Sequence, residues 1–296
     1  FQSYSLRGFG RSRIRTEISG VPIISDRRAG NSLSFLPHTF IETMRADMGP
    51  ASSLYGSGAM GGVLSASLRE PEQTALHLQL GSAGNSRGFG FETRLTNQTA
   101  ITTSLKSANN SRAADNEPLN TGFRQSALYA RNTQTIGDLL INAEVIAGLG
   151  RDLGKSSSRF PANRISTYPH DEHVIINLRA MNQRGMFAQA YVHDQDWASR
   201  TDRIGDRQNL SSYQSQTYGA LFSHQYSDET SENRWGIELT TRTNVDIAEL
   251  ERPLQGEATL IGLVNSGNER VSGVFADRMW FFSNTSLRAG TRLDRS

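Results

Sequence analysis

The chain has 296 residues, with 31 basic against 29 acidic, a net charge of +2 and no cysteine. Disulfide frameworks and thiolate metal sites are excluded, and charges this evenly balanced do not make a basic nucleic-acid-binding block. Mean hydropathy is −0.49 and no apolar run approaches the ~18 residues of a membrane-spanning helix, although strands apolar on alternate residues fit both observations.

The first 70 residues are glycine-rich and irregular. Three segments stand out in order: Leu6-Arg7-Gly8-Phe9-Gly10, then Gly20-Val21-Pro22-Ile23 before Phe40-Ile41-Glu42, then the run from Gly49 to Val63. That run carries Gly49, Pro50, Tyr55, Gly56, Gly58, Gly61 and Gly62. Glycine is costly to order, so the run predicts tight turns in a confined space. Gly56 to Gly61 fits GxGxxG, but a dinucleotide site needs a strand before it and a helix after it. Here Gly49-Pro50 precedes and the β-like Val63-Leu64-Ser65-Ala66 follows, so that reading fails.

Beyond Pro71 the sequence alternates. Leu76, Leu78 and Leu80 flank His77 and Gln79; Val145 and Ala147 follow Glu144; Ile176 and Leu178 flank Asn177; Ile237 and Leu239 flank Glu238; Leu287, Ala289 and Leu293 oppose Arg288 and Arg292. Period two predicts about eleven strands of about 8–14 residues, each with one apolar and one polar face. Short polar turns are expected at Asn97-Gln98-Thr99, at 182–185 and at Ser283-Asn284-Thr285. Longer loops are expected at roughly 109–121, 151–170, 198–212 and 248–267, the alternation of an outer-membrane barrel. A soluble β-sandwich would alternate too, with mixed loop lengths and shorter strands.

Glu92, Arg94, Lys106, Glu144, Arg179, Glu238 and Arg242 then point inward, because a charge facing lipid at mid-depth costs ~2–4 kcal/mol. Tyr191, Trp197, Tyr218, Phe222, Trp235 and Trp280 suit interfacial girdles. Arg87-Gly88-Phe89-Gly90-Phe91 matches the start of an RNA-recognition element, but Glu92 and Arg94 break the match. His170 and His173, with Asp171 and Glu172, are expected at the end of a surface loop as weak metal-ligand candidates. No nucleophile stands in a catalytic context, so no enzymatic activity is expected.

In their order and spacing, the three glycine-rich segments and the alternating strands resemble TonB-dependent outer-membrane receptors over nearly the whole chain. The implied fold is an antiparallel all-β membrane barrel, present in part, with a small α+β plug portion. Residues 1–70 correspond to the second half of the plug and residues 71–296 to the first half of a barrel of about twenty-two strands. The opening at Phe1 reads as a fragment with its start removed. The resemblance implies residence in the bacterial outer membrane among lipid, and energy coupling through TonB–ExbB–ExbD. The ligand would be a ferric siderophore or haem, with no permanently bound cofactor and no nucleic-acid partner.

In that family the arginine at the place of Arg7 pairs with barrel glutamates. A second arginine precedes the Gly-Pro, where this chain has Met48, so half of that lock is in doubt. The apical plug loops align with Arg11 and Arg13 and with Asp26, Arg27 and Arg28. Four arginines there suit an anionic ligand, because guanidinium forks bind carboxylates bidentately. A passive outer-membrane channel and an RNA-binding module are the competing readings.

Overall fold

A computed structural model describes residues 5–25, 31–49, 51–156 and 163–296, with the side chains of Arg11 and Ser57 outside the description. The N-terminal part begins with β1 (Ser5–Leu6) paired to β2 (Phe9–Gly10). Next come β3 (Ile14–Ile18), β4 (Val21–Pro22), β5 (Ile41–Met48), a single helical turn α1 (Ser52–Tyr55) and β6 (Gly62–Leu68). The strand order is β4-β3-β6-β5, with β3 parallel to β6 and the other pairs antiparallel. A parallel pair requires a long crossover, and residues 19–61 supply it. The inner strands β3 and β6 are mostly buried, whereas β5 is an exposed edge.

Gly62 opens β6 at φ +133°, and a side chain there would overlap the carbonyl oxygen of Asp47 on β5. Gly61 lies under the Phe9 ring, which leaves no room for a Cβ. The glycine-rich run thus brings β6 in tightly between β5 and the β1–β2 hairpin. The segment fitting GxGxxG is preceded, not followed, by the four-residue α1, and it leads into strand β6.

The second part is one eleven-stranded antiparallel sheet in which each strand pairs with its neighbours in sequence. Its strands are β7 (Ala75–Gly81), β8 (Ser86–Arg94), β9 (Thr99–Ala108), β10 (Phe123–Ile136), β11 (Leu139–Lys155) and β12 (Arg164–Asn182). They continue with β13 (Met186–Arg203), β14 (Arg207–Ser227), β15 (Ser231–Pro253), β16 (Thr259–Phe281) and β17 (Ser286–Arg295). Among the described residues no helix is long and apolar enough to cross a membrane.

The number of strands agrees with the alternation, but their lengths do not. Strands β12 to β16 run 18 to 23 residues. Three of the expected long loops are therefore tall two-stranded ribbons: β13 and β14 are joined by 204–206 alone, β15 and β16 by 254–258, and β11 and β12 extend well into 151–170. Their polar, turn-like composition hides strands because backbone pairing across a hairpin needs no apolar face. Even Pro169 is accommodated, at a register irregularity between Thr167 and His170.

The two faces divide as the period demands. Leu76, Leu78, Val145, Ile176, Leu178, Ile237, Leu239, Leu287 and Leu293 are exposed on the outer face, while Glu92, Glu144, Glu238 and Arg242 are buried on the inner one. The aromatics split. Phe222 and Trp235 meet at 5.9 Å near the short-turn end, Trp280 lies there across from Ser231, and Tyr218 is exposed on the same face. Tyr191 and Trp197, expected in a girdle, are instead buried on the inner side. Tyr191 joins a core with Ile18, Phe35 and Phe40 of the N-terminal part, and Trp197 stacks on Tyr213. One apolar core thus crosses the boundary: Ala127, Tyr129, Ile146, Ile175 and Tyr191 of the large sheet pack on Ile18 to Leu68 of the small one.

At the short-turn end, Asp228 accepts hydrogen bonds from the Thr230 hydroxyl and amide and from Ser231, which hold its carboxyl down at about 2. A depressed carboxylate stabilises the turn above the ordinary carboxylate range and ceases to do so as pH falls through its folded value. A carbonyl NMR titration of Asp228 is expected to give a midpoint near 2, and a midpoint near the ordinary ~3.9 would refute the turn geometry.

Candidate functional site

The small N-terminal unit sits against the inner face of the large sheet, and the contact is built on arginine. Arg15 of β3 reaches out from the small sheet, bonding Glu17 at 2.6 Å and Glu238 of β15 at 2.9 Å. The second oxygen of Glu238 takes Arg292 of β17 at 2.9 Å, and Arg292 also holds Asp294 at 2.7 Å. Two guanidinium groups thus share one buried carboxylate. Burial by itself disfavours the Arg15 charge, but Glu17 and Glu238 outweigh it and set its pKa above that of an ordinary arginine.

The same arginines close α1. A helix leaves its last carbonyls without partners and carries negative charge at that end. Arg15 donates to the Tyr55 carbonyl at 2.6 Å and Arg292 to the Leu54 carbonyl at 3.1 Å. Gly56 follows at φ +80°, and Arg15 lies over the Tyr55 ring at 5.5 Å. The glycine-rich run therefore ends in a clamp that joins the small unit to β15 and β17. A cavity of about 340 Å³ beside the clamp is lined by Ser12, Ser25, Tyr55, Arg242 and Glu269 among others.

Amide side chains of the wall hold further carbonyls of the small unit. Asn177 and Gln189 donate to Ser19, each at 3.2 Å, Gln195 to Ile24, and Gln125 to Ser34 at 2.8 Å. At the junction Arg69 pairs with Glu92, while Glu70 holds Arg94 and Arg131 at 3.2 Å each.

A second cavity of about 960 Å³ lies between Leu33–Met44 and the wall strands β7 to β11. The N-terminal unit lines it with apolar Leu33, Leu36, Ile41 and Met44 and with His38, and the wall contributes Arg87, Lys106 and Lys155. No carboxylate lines it among the described residues. This arrangement accepts an anion with an apolar body.

Several expected residues fall elsewhere. Arg7 is exposed at the β1–β2 turn and makes no ion pair with a described residue of the large sheet; Arg15 makes one, with Glu238. Met48 is exposed at the end of β5. Arg13 is exposed, whereas Asp26, Arg27, Arg28, Pro50 and the Arg11 side chain lie outside the described residues. His170 and His173 are in strand β12, not in a loop. His170 pairs with Asp196 at 2.9 Å, and His173 is buried against Phe35. No group of three or more metal-ligating side chains forms among the described residues. The Arg87–Phe91 stretch lies in β8 of the eleven-stranded antiparallel sheet, not on the four-stranded sheet of an RNA-recognition module. Arg15 and Arg292 gave no motif signal; only the inward parity of Arg292 and Glu238 pointed toward them.

Residues 1–63 match the family model TonB-dependent Receptor Plug Domain. No match is found among curated proteins. Among solved structures the chain is similar to the copper transporter OprC, with 15% identity, a TM-score of 0.75, 98% of this chain and 47% of that one. It is also similar to the Serratia marcescens hemophore receptor HasR, solved with its hemophore HasA and heme (13% identity, TM-score 0.68, 99% and 46% covered). FpvA of P. aeruginosa, solved with heterologous pyoverdines, is similar at 12% identity and a TM-score of 0.68, with 99% and 46% covered. The chain spans about half the length of these structures. Residues 1–63 thus match a plug domain of TonB-dependent receptors, and the whole chain shares the fold of these structures, an eleven-stranded partial barrel against that domain.

Proposed function

We propose that the chain forms part of an outer-membrane receptor that takes up an anionic iron complex, a ferric siderophore or haem. Uptake is energised by TonB–ExbB–ExbD and involves no covalent chemistry. The observation that carries this reading is the cavity of about 960 Å³ between the plug and the wall, lined by apolar plug residues and by the cations Arg87, Lys106 and Lys155. Arg87, Lys106 and Lys155 there suit carboxylates, phenolates or propionates, since hydrogen bonds to charged groups are the stronger ones. Within the reading, His38 at the cavity supplies an imidazole for haem iron. Copper, haem and pyoverdine in the similar structures support transport of a metal-containing cargo without choosing among them.

The test is iron-limited growth of cells with this receptor as their sole iron importer, with and without TonB, on haem and on separate ferric siderophores. Growth on one source that disappears without TonB is expected; permeation without TonB would make this a passive channel. The double variant Lys106→Gln/Lys155→Gln is expected to weaken binding of that anionic source about tenfold or more. An equal loss for a neutral complex would refute the charge argument. His38→Ala should abolish haem use and leave siderophore use intact if haem is the cargo.

A further inference from the structure

Among the described residues, one arginine stands on the outer face of β14 to β17 at the short-turn end. Arg278 of β16 is exposed and shares the outward parity of Val274 and Ala276. Arg234 and Arg288 on the adjoining strands turn inward, toward Phe275 and Asp277. The register sets Asn233 and Ser231 of β15 beside Arg278 and Trp280, with Tyr226 of β14 across from Asn233. Trp235 follows on the same face, one step further from the turns.

The Arg278 guanidinium is held in place but not neutralised. It lies over the Trp280 ring at 5.2 Å and donates to the Ser231 hydroxyl at 3.3 Å. Neither partner is a carboxylate. The carboxylates of this end have other partners: Asp277 faces inward and binds Arg288, and Glu232 accepts from Gln225. Asp228, in the turn, accepts from the Thr230 and Ser231 hydroxyls.

Away from the turns the same face is apolar and exposed, through Trp235, Ile237 and Val274. A barrel tolerates an outward arginine near the membrane surface and not at mid-depth. Tyr226, Trp235 and Trp280 are the side chains that settle at headgroup level, and they bracket Arg278. A guanidinium without a counter-charge at that level, beside an apolar strip, complements a phosphodiester that carries acyl chains.

We propose that Arg278 anchors a phospholipid site, in which its guanidinium binds the headgroup phosphate and the acyl chains lie along Trp235, Ile237 and Val274. The site belongs to the leaflet at the short-turn end. It rests on the outer-membrane reading and is independent of the cargo. Trp280 and Ser231 act as positioning residues that hold the guanidinium toward the headgroups.

The test titrates the intact receptor, purified in detergent, with a short-chain phosphatidylglycerol and follows bound lipid by native mass spectrometry. Diacylglycerol with the same chains and inorganic phosphate are the comparison probes. Phosphatidylglycerol is expected to bind about tenfold more tightly than either. Arg278→Gln should remove that advantage. Arg270→Gln, on the same face of β16 but further from the short turns, should keep it. Diacylglycerol binding as tightly would reduce the site to apolar contact, and phosphate binding as tightly would make it a plain anion site. Either result overturns the proposal, as does parent-like binding by Arg278→Gln. Trp280→Leu, with circular dichroism matching the parent, should weaken binding about threefold, and unchanged binding there overturns the ring-held anchor. Flotation with liposomes separates the two readings. A receptor that fails to enter them sinks the membrane reading and the site together; one that enters them without Arg278 dependence sinks the site alone.

Discussion

Glu238→Ala is expected to loosen the plug from the barrel wall more than any other single side-chain truncation. It strips Arg15 and Arg292 of their shared carboxylate while both guanidinium groups stay buried. Breaking one side of a buried ion-pair network costs about 3–5 kcal/mol. Arg15 keeps Glu17 and Arg292 keeps Asp294, which places the effect at the lower end of that range. Exchange protection of the β3 and β6 amides should fall by about two orders of magnitude. The double variant Arg15→Ala/Glu238→Ala should cost less than the sum of the singles, because the second change removes a stranded charge. Protection within twofold of the parent, or strict additivity, would show that the clamp does not hold the plug.

Gly62→Ala is expected to break the plug sheet itself. The residue sits at φ +133°, and a methyl group would overlap the Asp47 carbonyl oxygen. That oxygen belongs to the backbone of β5, which is paired to β6 along its length, so it cannot step aside alone. A strained φ and the collision together cost about 3 kcal/mol or more. Limited proteolysis of the plug should accelerate accordingly. Gly58→Ala in the same run is the control, because an added Cβ would come no nearer than 3.8 Å to the Ser12 carbonyl oxygen. That change should shift stability by less than about 1 kcal/mol. Equal proteolysis of the two variants would show that the run's glycines serve flexibility alone rather than close packing at Gly62.

Much of the architecture was legible because β-strands write it in period two. Leu76-His77-Leu78 and Ile237-Glu238-Leu239 declare an apolar and a polar face, and a one-residue slip would exchange them. The tall ribbons after Ala198 and Ala248 were not legible. Above the apolar band both faces of a strand meet water or polar groups, so nothing in the pattern separates strand from loop. The girdle reading failed at Tyr191 and Trp197 for a related reason. An aromatic serves equally at a lipid interface and against a plug, and only the partner distinguishes them.

The candidate site divides in the same way. The run from Gly49 to Val63 by itself determined that tight turns in a confined space lie ahead of the strands, since glycine is costly to order; that they belong to a plug came from the family resemblance. Alternation by itself determined that Glu238 and Arg292 face inward. Only the tertiary structure decided that Arg15, not Arg7, meets Glu238, and that His173 lies beneath Phe35 instead of in a surface loop. Those pairings join residues 223 and 138 positions apart in sequence. Local composition sets which face a side chain takes; which distant group it meets depends on how the plug seats in the wall, and that is settled by the shared core of Ile18, Phe35, Phe40, Ile146, Ile175 and Tyr191.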